Sequence, residues 1–455
     1  MRRIAFPLLA LISLACAATA ATRPHYGGTL RVAIQSSPMT LDANTSSTPA
    51  DYWDMVRLLS LVGDNLVGTD AEGRPQPALA NAWQEDSTAR HWQFTLRHGV
   101  NFHDGTPASA SAIALILGPL HPDWNVRATS AAADSLTIDT EASAPTLLAE
   151  LALPRNLILA HNAAGLPVGT GPFRIADYQP GKLLKLAAVE DSWSGRPFLD
   201  AIEIEFGKSL RDQAVALELG RADVIATAPQ SANASPRMRT SSSMSLPVEL
   251  MALVFAPNSK AQDVRLRQAL ALSIDRKPIQ SVLLKGAAEP TASILPNWMT
   301  GYSAAFSAQA NVQRAKALLA DSRPPALTLS YDPRDPQAQL IAERIALNAR
   351  EAGITVQVSL SGPDDIRLVR IPLPTPDPAL ALREAARQLS LSPPVLHGKS
   401  VEDLFQAEHG LLEDSSVIPL FHLPVASAAS PRVHGWAPDR LGGWNLADVW
   451  LENSR

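Results

Sequence analysis

Residues 92–107 carry the sequence WQFTLRHGVNFHDGTP, and no other stretch says as much about the fold. Trp92, Phe94 and Leu96 alternate with polar residues, which predicts a strand with one buried face. A glycine ends the strand, a short apolar run follows, and the His-Asp-Gly-Thr-Pro sequence predicts a turn. Residues 108–117 then have a helical pattern, so the stretch predicts a strand, a turn and a helix capped by one of its first serines.

The amino terminus predicts an export signal. Two arginines precede an apolar run over residues 4–15, and Ala-Thr-Ala follows at 18–20. A positive start, an apolar middle and an A-x-A motif are typical of a signal peptide. We therefore predict that residues 1–20 are removed by cleavage after Ala20 or Ala21, and that the protein is periplasmic or otherwise extracytoplasmic.

Cys16 is the only cysteine, and it lies within this signal. Leu14-Ala15-Cys16 loosely resembles a lipoprotein cleavage site, but Ser13 stands where such sites prefer leucine. Lipoprotein anchoring through Cys16 is therefore the less favoured interpretation. Cleavage after Ala20 would leave a mature chain without a thiol, and disulfides would then be excluded.

Composition excludes some classes of partner. The chain has 455 residues and a formal net charge of −5, which loss of the two arginines in the signal changes to −7. A mildly acidic protein without a basic block is a poor candidate for binding nucleic acid or a membrane surface. The remaining chain of roughly 435 residues is too long for a single hydrophobic core, so we predict two or three lobes.

The carboxyl-terminal half predicts an α/β region. Leu327, Leu329 and Tyr331 alternate with polar residues, residues 337–351 have helical spacing, and a second alternation follows at 354–358. Strand, helix and strand in this order predict a parallel crossover unit.

Two further segments bear on how the parts of the chain connect. Residues 229–247 are rich in Ser, Arg, Ala and Pro, which predicts a loop or a weakly structured link. Residues 417–425 are apolar and predict a strand that returns the chain to its first lobe.

Recognisable motifs are spaced along the chain. They are GGTLRVA at 27–33, PVGTGPF at 167–173, and DVRLRQAL at 263–270 followed by SIDR at 273–276. Together with WQFTLRHGVNFHDGTP, these motifs resemble the signatures of the family 5 extracellular solute-binding proteins. Members of that family are the peptide- and nickel-binding receptors of bacterial ABC importers. The resemblance covers nearly the whole mature chain.

The resemblance implies an α/β fold that is bilobal and periplasmic-binding-protein-like, of the type II or Venus-flytrap kind, with an additional small lobe. Lobe I would comprise residues 22–62, 168–250 and 425–455. Residues 63–167 would form the small lobe II, which carries the first motif and is shortened relative to the family. Residues 251–424 would form lobe III, the α/β lobe that closes on the ligand.

The implied function is that of an extracytoplasmic receptor of an ABC importer. It would capture a peptide or a similar small solute between two lobes and deliver it to permease subunits in the inner membrane. We expect a monomer that uses no cofactor and no bound metal. Two alternatives remain, a binding-protein fold reused as a sensor or chaperone and, less favoured, an envelope hydrolase.

In peptide-binding members of the family, the peptide backbone pairs with two segments of the cleft. One would correspond here to the region of Ser47 and Thr48, and the other to Arg370 and Ile371. Pro372, which has no N–H group to donate, follows the second segment.

The anchor for the peptide amino terminus departs from the family pattern. An aspartate holds the terminal amine in such members, and Pro374 stands at the corresponding position here. Asp377 could substitute for that aspartate. Pro372 and Pro374 together argue against ordinary peptide binding.

Four aromatic residues are the main candidates for the wall of a ligand cleft, with Trp444 a weaker one, although aromatic side chains more often belong to a core. They are Trp53, Phe255, Trp298 and Tyr302. Trp298 is the first choice because it lies in a Pro-Asn-Trp loop.

Catalysis has little support in the sequence. The chain contains no G-x-S-x-G, H-E-x-x-H, C-x-x-C or G-x-x-x-x-G-K-[ST] motif. His91, His98 and His103 lie close in sequence, but strand alternation and the intervening turn give them no shared focus for a metal. His103-Asp104 is therefore interpreted as part of a turn and not as a catalytic pair.

Overall fold

The computed structural model describes residues 24–42, 49–70, 72–129, 134–227, 241–302, 304–320, 322–335, 337–360, 364–396, 398, 400–437 and 439–452. The predicted signal, Cys16, Ser47 and Thr48 lie outside these residues, as does the first part of the predicted link. Trp53 lies in a helix whose course is described, but its side chain is not.

The strands are β1 Thr29–Ala33, β2 Val67–Thr69, β3 Pro75–Pro77, β4 Ala80–Glu85, β5 His91–Leu96, β6 Trp124–Ala128, β7 Ser135–Thr140, β8 Ala160–His161, β9 Pro167–Val168, β10 Phe173–Gln179, β11 Leu183–Ala188, β12 Ala201–Glu205, β13 Val224–Thr227, β14 Ser241–Phe255, β15 Glu289–Pro290, β16 Leu327–Tyr331, β17 Val356–Val358, β18 Ile366–Pro372, β19 Val417–Ala429, β20 Val433–His434 and β21 Trp450–Leu451. The helices are α1 Pro49–Val62, α2 Ala110–Leu120, α3 Leu147–Leu151, α4 Leu210–Glu218, α5 Val264–Ser273, α6 Arg276–Pro278, α7 Asn297–Thr300, α8 Val312–Leu318, α9 Ala338–Glu351, α10 Pro378–Gln388 and α11 Val401–Leu412. No helix among the described residues has the length and apolar character needed to cross a membrane.

A large mixed sheet organises the molecule. Its strand order is β10-β11-β12-β1-β13-β19-β14-β18-β16-β17, and β15 pairs with β19 beside this path. The antiparallel strands β14 and β19 are 15 and 13 residues long. Because they lie between the amino-terminal strands and β18, β16 and β17, these two strands join the two ends of the sheet.

The stretch at 92–107 forms the centre of a separate sheet of order β4-β5-β7-β6. The predicted alternation is confirmed, since Trp92, Phe94 and Leu96 are buried while the residues between them are exposed. The predicted helix is also confirmed, and Ser109 is its N-cap, because its side chain accepts a hydrogen bond from the Ala112 N–H.

The predicted crossover unit is confirmed in the other part of the large sheet. Strands β16 and β17 are parallel, and α9 connects them. Ile341 and Ile345 on one face of α9 are fully buried against the sheet. Gly353 ends the helix with a φ of 85°, a backbone angle that glycine adopts without strain.

The prediction of a loop over 229–247 is wrong for its last part, because β14 begins at Ser241. The segment is polar, but it pairs with β19, and Ser243 and Ser427 share a hydrogen bond across the two strands. Long-range pairing therefore overrides the local composition. The predicted return strand is confirmed, since β19 pairs with both β14 and β13.

Candidate functional site

A cavity of about 530 Å³ lies where the long strands cross the middle of the large sheet. Its walls come from distant parts of the chain: α1 with the loop after β1, the start of α4 with the end of β13, the strands β14 and β19, and β16 and β18 with the loop before α9. The charged residues that line it are Asp51, Asp54, Arg57, Glu249, Asp332, Arg334, Asp335, Arg367 and Arg370. The cavity is therefore a cleft between the two ends of the sheet, and nine of its lining residues are charged.

One wall is a single face of α1. Asp51, Asp54 and Arg57 are spaced three residues apart, which places them on the same side of a helix. Arg57 Nη1 donates to Asp54 Oδ1 over 3.0 Å, and its Nε donates to the Gly442 carbonyl over 2.8 Å. Ser36 donates to the other oxygen of Asp54. These hydrogen bonds hold Asp54 and Arg57 in place.

The opposite wall carries three arginines, each beside a carboxylate. Arg370 on β18 contacts Asp335 at 2.9 Å, and Arg334 contacts Asp332 at 2.8 Å. Arg334 also reaches across the cleft to Asp51, with 2.8 Å between Nη1 and Oδ1. This ion pair joins the two walls directly.

Glu249 lies on β14 between the walls. It is half-buried, and none of the described residues donates a hydrogen bond to its carboxylate. Burial raises its pKa above the usual range, Asp335 and Asp54 add to this shift, and Arg370 and Arg57 oppose it. Glu249 is thus a carboxylate in the cleft without a dedicated partner.

The residues predicted around the second peptide-pairing segment separate in the structure. Arg370 lines the cleft, but Ile371, the next residue on the strand, faces away and packs against Leu250 and Leu373. Asp377 is the N-cap of α10, where its Oδ1 accepts from the Leu380 N–H over 2.9 Å.

Of the four main aromatic candidates, three have described side chains, and none of these lines the cleft. Phe255 lies at the end of β14 in the core beneath α5. Trp298 is about one third exposed, and its Nε1 donates to the Pro247 carbonyl over 3.0 Å. Tyr302 donates from its hydroxyl to Glu408 Oε2 over 2.5 Å. These contacts are directed toward the protein and away from the cleft.

Three lining residues do not stand out in the sequence: Glu249, Arg57 and Arg334. A signal for Glu249 existed, because it is the single acid at the head of the buried run Val248–Phe255. The three-residue spacing of Asp51, Asp54 and Arg57, which suits one side of a helix, was a second signal. Neither signal shows that Glu249 meets the charges of α1, since they are about 200 residues apart in the chain.

The histidines near the first motif do not form a metal centre. His91 pairs with Asp139 at 2.5 Å and His98 with Asp134 at 2.8 Å, both near the surface. Within the described residues, no group of three His, Cys, Asp or Glu side chains could hold a metal ion.

The turn predicted around His103 and Asp104 is confirmed. Asp104 Oδ1 accepts from the N–H and the hydroxyl of Thr106, over 2.9 and 2.6 Å. His103 Nε2 donates to the Gly171 carbonyl over 2.9 Å, and burial lowers the pKa of this imidazole. The pair therefore secures the turn against the segment of the PVGTGPF motif.

Comparison with known proteins places these features in context. The family profile described as "Bacterial extracellular solute-binding proteins, family 5 Middle" matches residues 74–366. The nickel-binding protein NikA of Staphylococcus aureus (strain NCTC 8325 / PS 47) is 26% identical over 326 residues. That alignment covers 67% of this chain and 65% of the relative.

Solved structures show the same fold. NikA from Staphylococcus aureus in complex with Ni(L-His)2 superposes with a TM-score of 0.79 at 19% identity, covering 93% of this chain and 100% of that one. The dipeptide-binding protein from Pseudoalteromonas sp. SM9913 in complex with Met-Leu gives a TM-score of 0.80 at 18% identity, with the same coverages. The predicted bilobal α/β fold of type II is confirmed.

Proposed function

This chain belongs to the bacterial extracellular solute-binding proteins of family 5, and we propose that it captures a peptide or similar small solute in the cleft beside β14. The solute would then be delivered to the permease subunits of an ABC importer. The observation that carries this proposal is the cleft itself, whose walls come from both ends of the large sheet and meet through the Arg334–Asp51 ion pair. Lobes that meet around a solute can signal its presence by their closed arrangement.

The size of the cleft sets the scale of the solute. Its volume of about 530 Å³ lies within the roughly 300–1,000 Å³ of small-molecule sites. A short peptide or a compound of similar size fits this volume. Among the residues named from the sequence, Arg370 is the one with a described side chain in the lining, so we propose it as a ligand contact.

We propose the lobe boundaries given by the sequence. One hydrophobic cluster contains Leu30, Ile202 and Leu451, which supports a lobe I made from residues 22–62, 168–250 and 425–455. A second cluster runs from Leu66 to Val168 and supports a separate lobe over 63–167. A third cluster lies within 251–424.

Activity, oligomeric state and export are proposed from the family, whose members are solute-binding receptors. We propose that this chain has no enzymatic activity, acts as a monomer, and is exported by a signal at residues 1–20. Lipoprotein anchoring through Cys16 remains the less favoured route to the same compartment.

The test is a ligand screen on the mature protein. Di- to octapeptides, sugars and metal chelates are screened by thermal shift, while native mass spectrometry identifies any solute that remains bound through purification. A solute at a hundred times its dissociation constant should add about 2.7 kcal/mol to the free energy of unfolding. Small-angle scattering should then show a smaller radius of gyration with the solute than without it.

Variants connect binding to the cleft. Arg370→Gln should weaken binding about tenfold or more, whereas Arg350→Gln, an exposed position on α9, should leave it unchanged. A protein that no solute stabilises, that carries none, and whose scattering never changes would contradict the proposed function.

A further inference from the structure

The charges of the cleft are not evenly paired. Four arginines line it against five carboxylates. Each arginine already has a carboxylate within 4 Å: Arg57 has Asp54, Arg334 has Asp51 and Asp332, Arg367 has Asp364, and Arg370 has Asp335. Glu249 is the one lining carboxylate in the described part of the chain without such a contact.

The position of Glu249 makes this imbalance costly. Its neighbours across the sheet are Pro372 on β18 and Leu423 on β19, neither of which brings a charge. The charged groups that face it are Arg57 and Asp54 from α1, Arg370 from β18, and Asp335 from the loop before α9. A carboxylate that is partly removed from water and receives no hydrogen bond is unfavourable, which favours a proton or a cation beside it.

A metal ion is a poor candidate for that cation. Metal sites in proteins use several ligands, and no group of three metal-binding side chains exists among the described residues. An ammonium or guanidinium group needs only one carboxylate to form a charge-assisted hydrogen bond. An organic cation therefore matches a single unpaired carboxylate better than a metal does.

We propose that Glu249 binds the cationic group of the solute, which is therefore a small organic compound with an ammonium or guanidinium group. This inference rests on the proposed function, since it assigns the ligand chemistry of the same cleft. The anchor implied by family resemblance would lie near Pro374, but Pro374 is buried and Asp377 is occupied as the cap of α10. The available carboxylate comes instead from β14.

Proton linkage follows from this assignment. A cation binds the ionised form of Glu249, whose pKa in the free protein is raised by burial. Binding therefore releases a proton wherever the free protein holds one there, and affinity falls as the pH is lowered through that pKa. Calorimetry in two buffers of different ionisation enthalpy measures the released proton on the unaltered protein.

The experiment uses agmatine and cadaverine as cationic probes, Ala-Ala as a zwitterionic probe and glutarate as an anionic probe. Agmatine or cadaverine should bind, and Glu249→Gln should weaken that binding about 30-fold or more, as expected when one partner of a buried charge pair is removed. Glu249→Asp, which keeps the charge, should retain more of the affinity. The control Glu343→Gln alters an exposed glutamate on α9 and should change nothing.

Folding and binding are separated by a second measurement. Glu249→Gln removes a carboxylate without a hydrogen bond, so its Tm without ligand should equal or exceed that of the unaltered protein. The inference is overturned if the bound solute is anionic or uncharged, or if Glu249→Gln binds as tightly as the unaltered protein. Failure of every probe, with no co-purified solute and no closure, contradicts the proposed function itself.

Discussion

Glu408 is fully buried, and three donors satisfy its carboxylate. The N–H groups of Ile294 and Leu295 donate over 2.5 and 2.9 Å, and the Tyr302 hydroxyl donates over 2.5 Å. Burial is the main cause of its raised pKa, which these hydrogen bonds oppose. This arrangement explains why Tyr302, a sequence candidate for the ligand cleft, is directed into the interior.

Tyr302→Phe should lower the free energy of unfolding by about 1–3 kcal/mol, because it leaves a buried carboxylate short of one donor. Urea denaturation measures the change. Tyr26→Phe is the matched control, since Tyr26 is exposed and its contact with Arg196 needs only the ring. Solute affinity should be the same in Tyr302→Phe and the unaltered protein, and a large loss of affinity would place Tyr302 in the binding site after all.

His422 on β19 predicts a pH dependence of stability. Burial lowers its pKa to about 4, and its Nε2 donates to the Ile294 carbonyl over 3.0 Å. An unfolded histidine titrates near 6.5, so the unfolded chain takes up this proton first as the pH falls. The stability that neutral His422 contributes is complete above about pH 6.5 and is lost progressively down to about pH 4.

His422→Gln should remove this term. Its free energy of unfolding should fall less steeply than that of the unaltered protein between pH 7 and pH 4, by about 3 kcal/mol over the interval. Burial also shifts other groups, such as Glu408, but both proteins contain them and the comparison cancels their effect. His161→Gln, an exposed position, should follow the unaltered protein, and parallel curves for His422→Gln would contradict the assignment.

The role of a single residue was hard to predict from the sequence where its hydrogen-bond partner lies far away along the chain. Trp298 and Tyr302 were candidates for the cleft wall, yet Pro247 and Glu408 accept their hydrogen bonds. Those acceptors are 51 and 106 residues away, so no local pattern reveals them. In contrast, the turn at Asp104 was predictable because its acceptor and donors are two residues apart.

Asp377 illustrates the element scale, because its role depends on the helix that follows. It caps α10, and Pro378 occupies the first helical position, where a missing N–H costs nothing. Asp377→Ala should lower the free energy of unfolding by about 1 kcal/mol, whereas Asp377→Ser should retain most of the stability. Both variants should bind solute normally, and a loss of affinity in Asp377→Ser would show that the carboxylate contacts the ligand.

Elements were predictable where their own residues determine them. β5 and the β16–α9–β17 unit follow from alternation and helical spacing within short segments, and Ser109 marks the start of α2. The beginning of β14 was not predictable, because its serines are held by pairing with β19 nearly two hundred residues later.

At the scale of the whole molecule, motifs predicted the family and its bilobal fold, but not the chemistry of the cleft. The motifs secure local turns and strands, as His103 does against Gly171. The lining charges instead come from α1, β14 and the region before α9, which meet only when the large sheet is complete. Glu249 becomes a candidate ligand contact only once Arg57 and Arg370 are seen to have other partners.

The ion pair between Arg334 and Asp51 predicts how readily the cleft opens. Both side chains are partly exposed, so the pair should contribute about 0.5–1 kcal/mol to the arrangement in which the walls touch. Asp51→Asn should then raise the ratio of open to closed molecules about two- to fivefold and weaken solute binding by no more than that factor. Small-angle scattering without solute should give a larger radius of gyration, and added salt should reduce the difference from the unaltered protein, because it screens the pair.

Asp177→Asn is the control, an exposed change on β10 outside the cleft lining, and it should alter neither the radius of gyration nor the affinity. If Asp51→Asn scatters like the unaltered protein in low salt, the pair does not hold the walls together.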